Sequence, residues 1–135
     1  MAALPHTVRL ERAAPTPGAM TPVYASREDE SFRILAGELT FFLGQRTVRA
    51  AAGDVVTASG ALPRALRVEA PGTRWLVETR TPSAARLDDF GHALARPLPP
   101  AAAWASPEDE QTVTAIGEAA GLHVLGPPGA LPGAG

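Results

Sequence analysis

The chemistry open to this chain is set by a short list of side chains. It contains no Cys and no Lys, and all twelve of its basic residues are Arg. Cysteine nucleophiles, thiolate metal sites, disulfides and Schiff-base lysines are therefore excluded together. The three histidines, His6, His92 and His123, are widely separated. His6 reads as solvated, His92 follows Phe90-Gly91 in a loop or frayed helix, and His123 stands beside a Gly-Pro-Pro turn. No phosphate-binding Gly-rich loop, dinucleotide fingerprint or Gly-x-Ser-x-Gly elbow occurs. The acidic run Glu108-Asp109-Glu110 is accounted for by a helix N-terminus, where carboxylates oppose the macrodipole.

The elements that must position these groups fit one domain. A chain of 135 residues that is 45% hydrophobic can bury a core without covalent staples. A net charge of −2 provides no broad basic footprint, so neither nucleic acid nor an anionic membrane is an expected partner. A small-molecule or protein partner is expected instead. The opening MAALPHTVRLER has no basic segment followed by an apolar one, and no long apolar run follows, which predicts a cytoplasmic protein. Gly and Pro, at 13 and 14 residues, suit short strands joined by turns.

Short runs with β character cover Thr7 to Glu11, Thr21 to Ala25, Ser31 to Ala36, Leu39 to Leu43, Gln45 to Ala50, Val55 to Thr57, Ala65 to Glu69 and Arg74 to Thr79. Alternation is plain in Phe32/Ile34/Ala36 against Ser31/Arg33/Leu35. Gly37-Glu38 and Gly44-Gln45 are spaced as hairpin turns. About eight strands at this spacing predict a sandwich or small barrel. The barrel is expected over about residues 7–81, with a helical extension over 82–125 and a flexible tail over 126–135. Within the extension, Ser83 to Leu94 predicts one or two helical turns, and Arg96 to Pro100 an extended linker. Ser106-Pro107 then starts a helix that ends near Ala120 before Gly121. Its thin apolar stripe of Val113, Ile116 and Ala120 predicts a helix outside the barrel that contributes little to any pocket. The arginines Arg9, Arg12, Arg33, Arg46, Arg49 and Arg67 read as outward faces.

The segment from Gly18 to Val68 resembles the small single-domain cupins, of the kind labelled quercetin-dioxygenase-like. Their first motif reads Gly, five residues, His, one residue, His, three or four residues, Glu, six residues, Gly. Gly18, Tyr24, Ser26, Glu30 and Gly37 hold those positions here. The second motif opens on Gly53-Asp54, but Ser59, Ala61, Arg64 and Val68 stand where Pro, Gly, His and Asn are expected. The closing strand of the family is similar to Arg74 to Thr79. The resemblance implies an all-β, cupin-type jelly-roll barrel with degenerate metal-binding motifs.

In the family, three imidazoles and a carboxylate hold a first-row metal, a donor set such ions favour. Only Glu30 remains of the four, and Arg64 is a permanent cation placed beside it. No metal and no other cofactor is therefore expected. The motif positions instead imply that Glu30 and Tyr24 supply acid/base chemistry and that Arg64 and Ser26 bind substrate. Phe32 and Trp75 would line the barrel, with Trp75 otherwise a core residue. Phe41 and Phe42, being adjacent, must point to opposite faces. The leading expectation is a metal-independent cupin binding a small organic molecule, as an isomerase, cyclase or dehydratase of specialised metabolism. A non-catalytic binding protein, with Glu30 and Arg64 as a structural ion pair, is the alternative. A quercetinase-like dioxygenase holding its metal unusually is the second. Unclosed sheet edges predict a homodimer.

Overall fold

The structure, a computed structural model, describes residues 4–14, 16–94 and 107–126. Nine strands and two helices run in the order β1 (His6–Ala14), β2 (Val23–Ser26), β3 (Glu30–Ala36), β4 (Glu38–Leu43), β5 (Arg46–Ala51), β6 (Val55–Ala58), β7 (Arg64–Val68), β8 (Thr73–Thr81), α1 (Ala84–Leu94), α2 (Pro107–Ala119) and β9 (Leu122–Gly126). The eight runs expected from alternation and turn residues all form strands. They pair antiparallel into two sheets, ordered β1-β8-β3-β6 and β5-β4-β7-β2-β9.

The connections explain why the sheets face each other. Successive strands change sheet at every step except β4 to β5. The β4–β5 hairpin turns at Gly44, as its spacing predicts. Gly37 does something else: it carries the chain from one sheet to the other, so the expected hairpin there is a crossover. With φ of 76°, Gly37 is in the left-handed region, and a Cβ built on it would lie 2.7 Å from the Thr73 Cα. Only glycine lets the two backbones pass this closely. Gly53-Asp54 makes a second crossover, closed by the Asp54 Oδ2 accepting from the Ala51 N–H at 2.8 Å.

The core fills the space between the sheets. Phe32, Ile34, Leu39, Phe41, Leu66 and Val77 are buried there, with the Phe32 and Phe41 rings 5.0 Å apart. Phe42 takes the opposite face of β4, beside Met20, Val23 and Ala65, as adjacency requires.

The extension beyond β8 is more structured than its sequence suggests. α1 is a three-turn helix whose start is capped by Ser83, the Oγ accepting from the Arg86 N–H at 3.2 Å. α2 ends as expected at Gly121, with φ of 82°. Its Gly117 admits Phe90 of α1, since a Cβ there would sit 3.2 Å from the Phe90 ring. The Thr81 hydroxyl donates to the Ala120 carbonyl at 2.8 Å and ties the end of α2 to the end of β8. The segment after Gly121, expected within the helical extension, is a strand: β9 pairs with β2 and extends the five-stranded sheet to Gly126. The linker 96–100, Trp104, Ser106 and residues 127–135 lie outside the described residues, as does the His92 side chain. No helix among the described residues is long and apolar enough to cross a membrane.

Candidate functional site

A cavity of about 230 Å³ opens between the two sheets. Its walls are mostly apolar: Phe32 from β3, Leu66 and Val68 from β7, and Trp75 and Val77 from β8. The strand period places them, because residues two apart share the inner face. Tyr24 and Glu30 provide polar groups in this wall.

Glu30, Tyr24 and Arg64 come together across the sheets. Arg64 Nη1 donates to Glu30 Oε1 at 2.9 Å, and both side chains are buried, 0% and 3% exposed. The rest of the guanidinium is held by backbone: Nε donates to the Leu62 carbonyl at 3.0 Å and Nη2 to the Ser59 carbonyl at 2.5 Å. Tyr24 is the register partner of Arg64, whose guanidinium lies 5.9 Å from the Tyr24 ring centre. The Tyr24 hydroxyl lies near enough to Glu30 to act on its carboxyl.

Burial pushes the Glu30 carboxyl above the ordinary carboxylate range, outweighing the pull of the Arg64 guanidinium and the Tyr24 hydroxyl toward the ionised form. Burial also raises Tyr24 well above its ordinary value, and the neighbouring Glu30 adds to it. Tyr24 thus keeps its proton at neutral pH, while Glu30 is a carboxyl whose proton affinity is enhanced.

The remaining motif positions have other settings. Arg64 does not line the cavity; its charge stands behind Glu30. Ser26 is likewise outside the lining, its Oγ accepting from the Glu28 N–H at 3.0 Å in a local turn. Ala61, at a motif glycine position, has φ of 67°, so the backbone keeps a conformation that favours glycine. His123 is exposed on β9, opposite Ala25.

Two contributions to the cavity escape the sequence reading. Arg12 points inward: its side chain is 10% exposed and lines the cavity, donating to Asp88 Oδ1 at 2.6 Å and to the Leu87 carbonyl at 2.5 Å. The signal was the alternation of β1, in which Val8, Leu10, Arg12 and Ala14 share a face. The extension also supplies wall: Leu87 and Phe90 of α1 and Leu122 of β9 line the cavity. Phe90 meets the Tyr24 ring edge-on at 5.5 Å. α2 itself contributes no lining side chain among the described residues.

A cupin metal does not fit this donor set. The four ligand positions hold Tyr24, Ser26, Glu30 and Arg64, and the one carboxylate is paired with a permanent cation. A divalent ion at Glu30 would sit against the guanidinium. No group of three or more His, Asp or Glu able to hold a metal occurs among the described residues.

No protein-family model matches the chain, and no curated protein does. Solved structures do. Protein TT1209 from Thermus thermophilus aligns at 25% identity and a TM-score of 0.50, over 54% of this chain and 70% of its own. An uncharacterised conserved protein with a double-stranded β-helix domain from Klebsiella pneumoniae aligns at 18% identity and a TM-score of 0.51, over 62% and 73%. An RmlC-like cupin from Shewanella frigidimarina aligns at 17% identity and a TM-score of 0.50, over 60% and 70%. Two facing antiparallel sheets, strands that change sheet at nearly every connection and these likenesses give the chain a cupin-type fold, a jelly-roll barrel of the double-stranded β-helix type.

Proposed function

We propose that this cupin binds a small organic molecule in the barrel and moves protons on it without a metal, with Glu30 as the acid/base group. The observation that carries the proposal is a buried carboxyl of raised proton affinity in the wall of a mostly apolar cavity. Glu30 takes a proton from the bound molecule and returns it to another atom, which is net isomerisation; loss of water or ring closure can follow from the same proton transfer. Tyr24, beside Glu30 in the cavity wall, keeps its proton and orients the carboxyl. Arg64, behind the carboxylate, steadies the ionised form rather than gripping the ligand. Phe32 and Trp75 provide flat walls, and Ser26 shapes the turn leading into β3.

A non-catalytic binding protein is the second reading, favoured by the Arg64 guanidinium that already occupies Glu30. The open sheet edges at β1, β6, β5 and β9 support pairing of two copies, which sedimentation would report as a homodimer.

Ligand-observed NMR with a library of small organic molecules tests the site. Binders are expected for the wild type and are expected to be lost in Val77→Phe, which fills the cavity from β8. A library without binders, or binders indifferent to that change, would remove the proposal. Recovery of every binder unchanged after long incubation would leave only the non-catalytic reading.

A further inference from the structure

Among the described residues, three ionisable side chains line the cavity besides the un-ionised Tyr24, and each already faces an opposite charge. Glu30 pairs with Arg64 at 2.9 Å, Arg12 with Asp88 at 2.6 Å, and Glu11 with Arg74 at 2.9 Å. The pairs come from separate places: across the sheets, from β1 to α1, and between β1 and β8. Among the described residues of the wall, an anionic ligand would find no uncommitted cation, and a cationic one no uncommitted carboxylate. Either would lose its hydration without a compensating partner.

The rest of the wall favours rings. Four of the seven aromatic side chains of the chain, Tyr24, Phe32, Trp75 and Phe90, line this one cavity. Size sets the number of rings. An apolar cavity of about 150 Å³ takes up benzene, so the 230 Å³ here suits a molecule of about two fused rings. The polar wall sets the substituent. The Glu30 carboxylate, paired at 2.9 Å with the permanent cation of Arg64, accepts hydrogen bonds. The complementary group on the ligand is a donor, a hydroxyl.

We propose that the ligand class is an uncharged, one- or two-ring molecule whose hydroxyl donates to Glu30 while its rings lie among the aromatic walls. This rests on the reading of the cavity as a small-molecule site. The pairing of Arg12 by Asp88 is what keeps anions out, so charge selectivity is written partly in α1.

Four probes of nearly one shape test it at neutral pH by calorimetric or NMR titration: 2-naphthol, naphthalene, 2-naphthoate and 2-naphthylmethylammonium. The expected result is that 2-naphthol binds at least tenfold tighter than either charged probe. Its advantage over naphthalene should disappear in Glu30→Gln. Asp88 is 44% exposed on α1, outside the lining, so Asp88→Asn does not disturb the buried pair. It should improve 2-naphthoate binding at least fivefold by leaving Arg12 uncompensated. A charged probe within tenfold of 2-naphthol overturns the charge argument, as does an Asp88→Asn protein with no gain for 2-naphthoate. Failure of both uncharged probes overturns the ligand class; other library members that sense Val77→Phe would then still uphold the cavity as a binding site. A library without such members removes both.

Discussion

β7 carries Arg64 and Arg67 on opposite faces, each paired with a glutamate, and the two pairs behave as different kinds of object. Arg64 and Glu30 are 0% and 3% exposed, while Arg67 and Glu69 are 31% and 22% exposed at 2.6 Å. For Glu30, burial exceeds the pull of its partners and raises the carboxyl. For Glu69, burial also raises it, but hydrogen bonds from Arg67 and Thr40 prevail and hold it below the ordinary range. One pair is a strained resource inside the barrel; the other is a surface fastening, with Arg67 laid over the Phe42 ring at 5.1 Å. The lesson is that an Arg–Glu contact acquires its character from the face of the strand it is on.

Removing the inner carboxylate should show the contrast most strongly. Glu30→Gln leaves Arg64 buried and uncompensated, and is expected to cost about 3–5 kcal/mol in denaturant unfolding at neutral pH. A loss under ~1 kcal/mol would mean that water reaches Arg64 and that the two pairs are alike. The partner change is milder. Arg64→Met strands the Leu62 and Ser59 carbonyls at roughly 1–3 kcal/mol, but Glu30 can then neutralise itself by keeping its proton, which an arginine cannot do. Its cost should therefore be smaller at pH 5 than at pH 8; an equal cost at both would show that Glu30 does not titrate in the folded state.

The loop that presents the Ser59 and Leu62 carbonyls to Arg64 holds Ala61 in the left-handed region. Ala61→Gly is expected to stabilise the protein by about 1 kcal/mol, to be read as a rise in melting temperature. The outer pair should matter least. Glu69→Gln is expected to cost about 0.2–1 kcal/mol, shrinking with added salt.

The two glutamates also pull the pH profile of stability in opposite senses. Glu69, lowered on folding, contributes stability above the ordinary carboxylate range and loses it as pH falls through its folded value. Glu30, raised on folding, contributes most below the ordinary range, and that contribution fades as pH rises through its folded value. Glu69→Gln should accordingly flatten the acid limb of the profile, and wild type and variant should converge at low pH. An unchanged acid limb would place Glu69 with the unpaired surface carboxylates.

How much of this was legible in the sequence depended on whether one strand carried the signal. The first eight strands were, because Gly, Pro and Asp punctuate runs whose alternation is locally visible. Glu30 and Arg64 were, because their motif spacing puts them on facing strands. Arg12 was misread: residue type suggested an outward face, while the alternation with Leu10 and Ala14 already placed it inside. β9 was missed because Leu122 and Val124 alternate for only five residues between a helix end and a Pro-Pro turn. The cavity walls from α1 were not legible, since what Leu87 and Phe90 touch is decided by how a helix docks after the barrel is built. The change of sheet at Gly37 needed knowledge of Thr73, far along the chain.

The Arg64–Glu30 bridge joins β7 of one sheet to β3 of the other, across 34 residues of sequence. It cannot form until both sheets exist and face one another, so it belongs to the last stage of assembly. Its influence should accordingly fall on the rate of leaving the native state and hardly on the rate of reaching it. In stopped-flow measurements, Glu30→Gln is expected to raise the unfolding arm and leave the refolding arm nearly in place. A slowed refolding arm would put the bridge in the transition state instead. The inner pair thus works as a clasp on the lifetime of the folded barrel, whatever molecule the barrel holds.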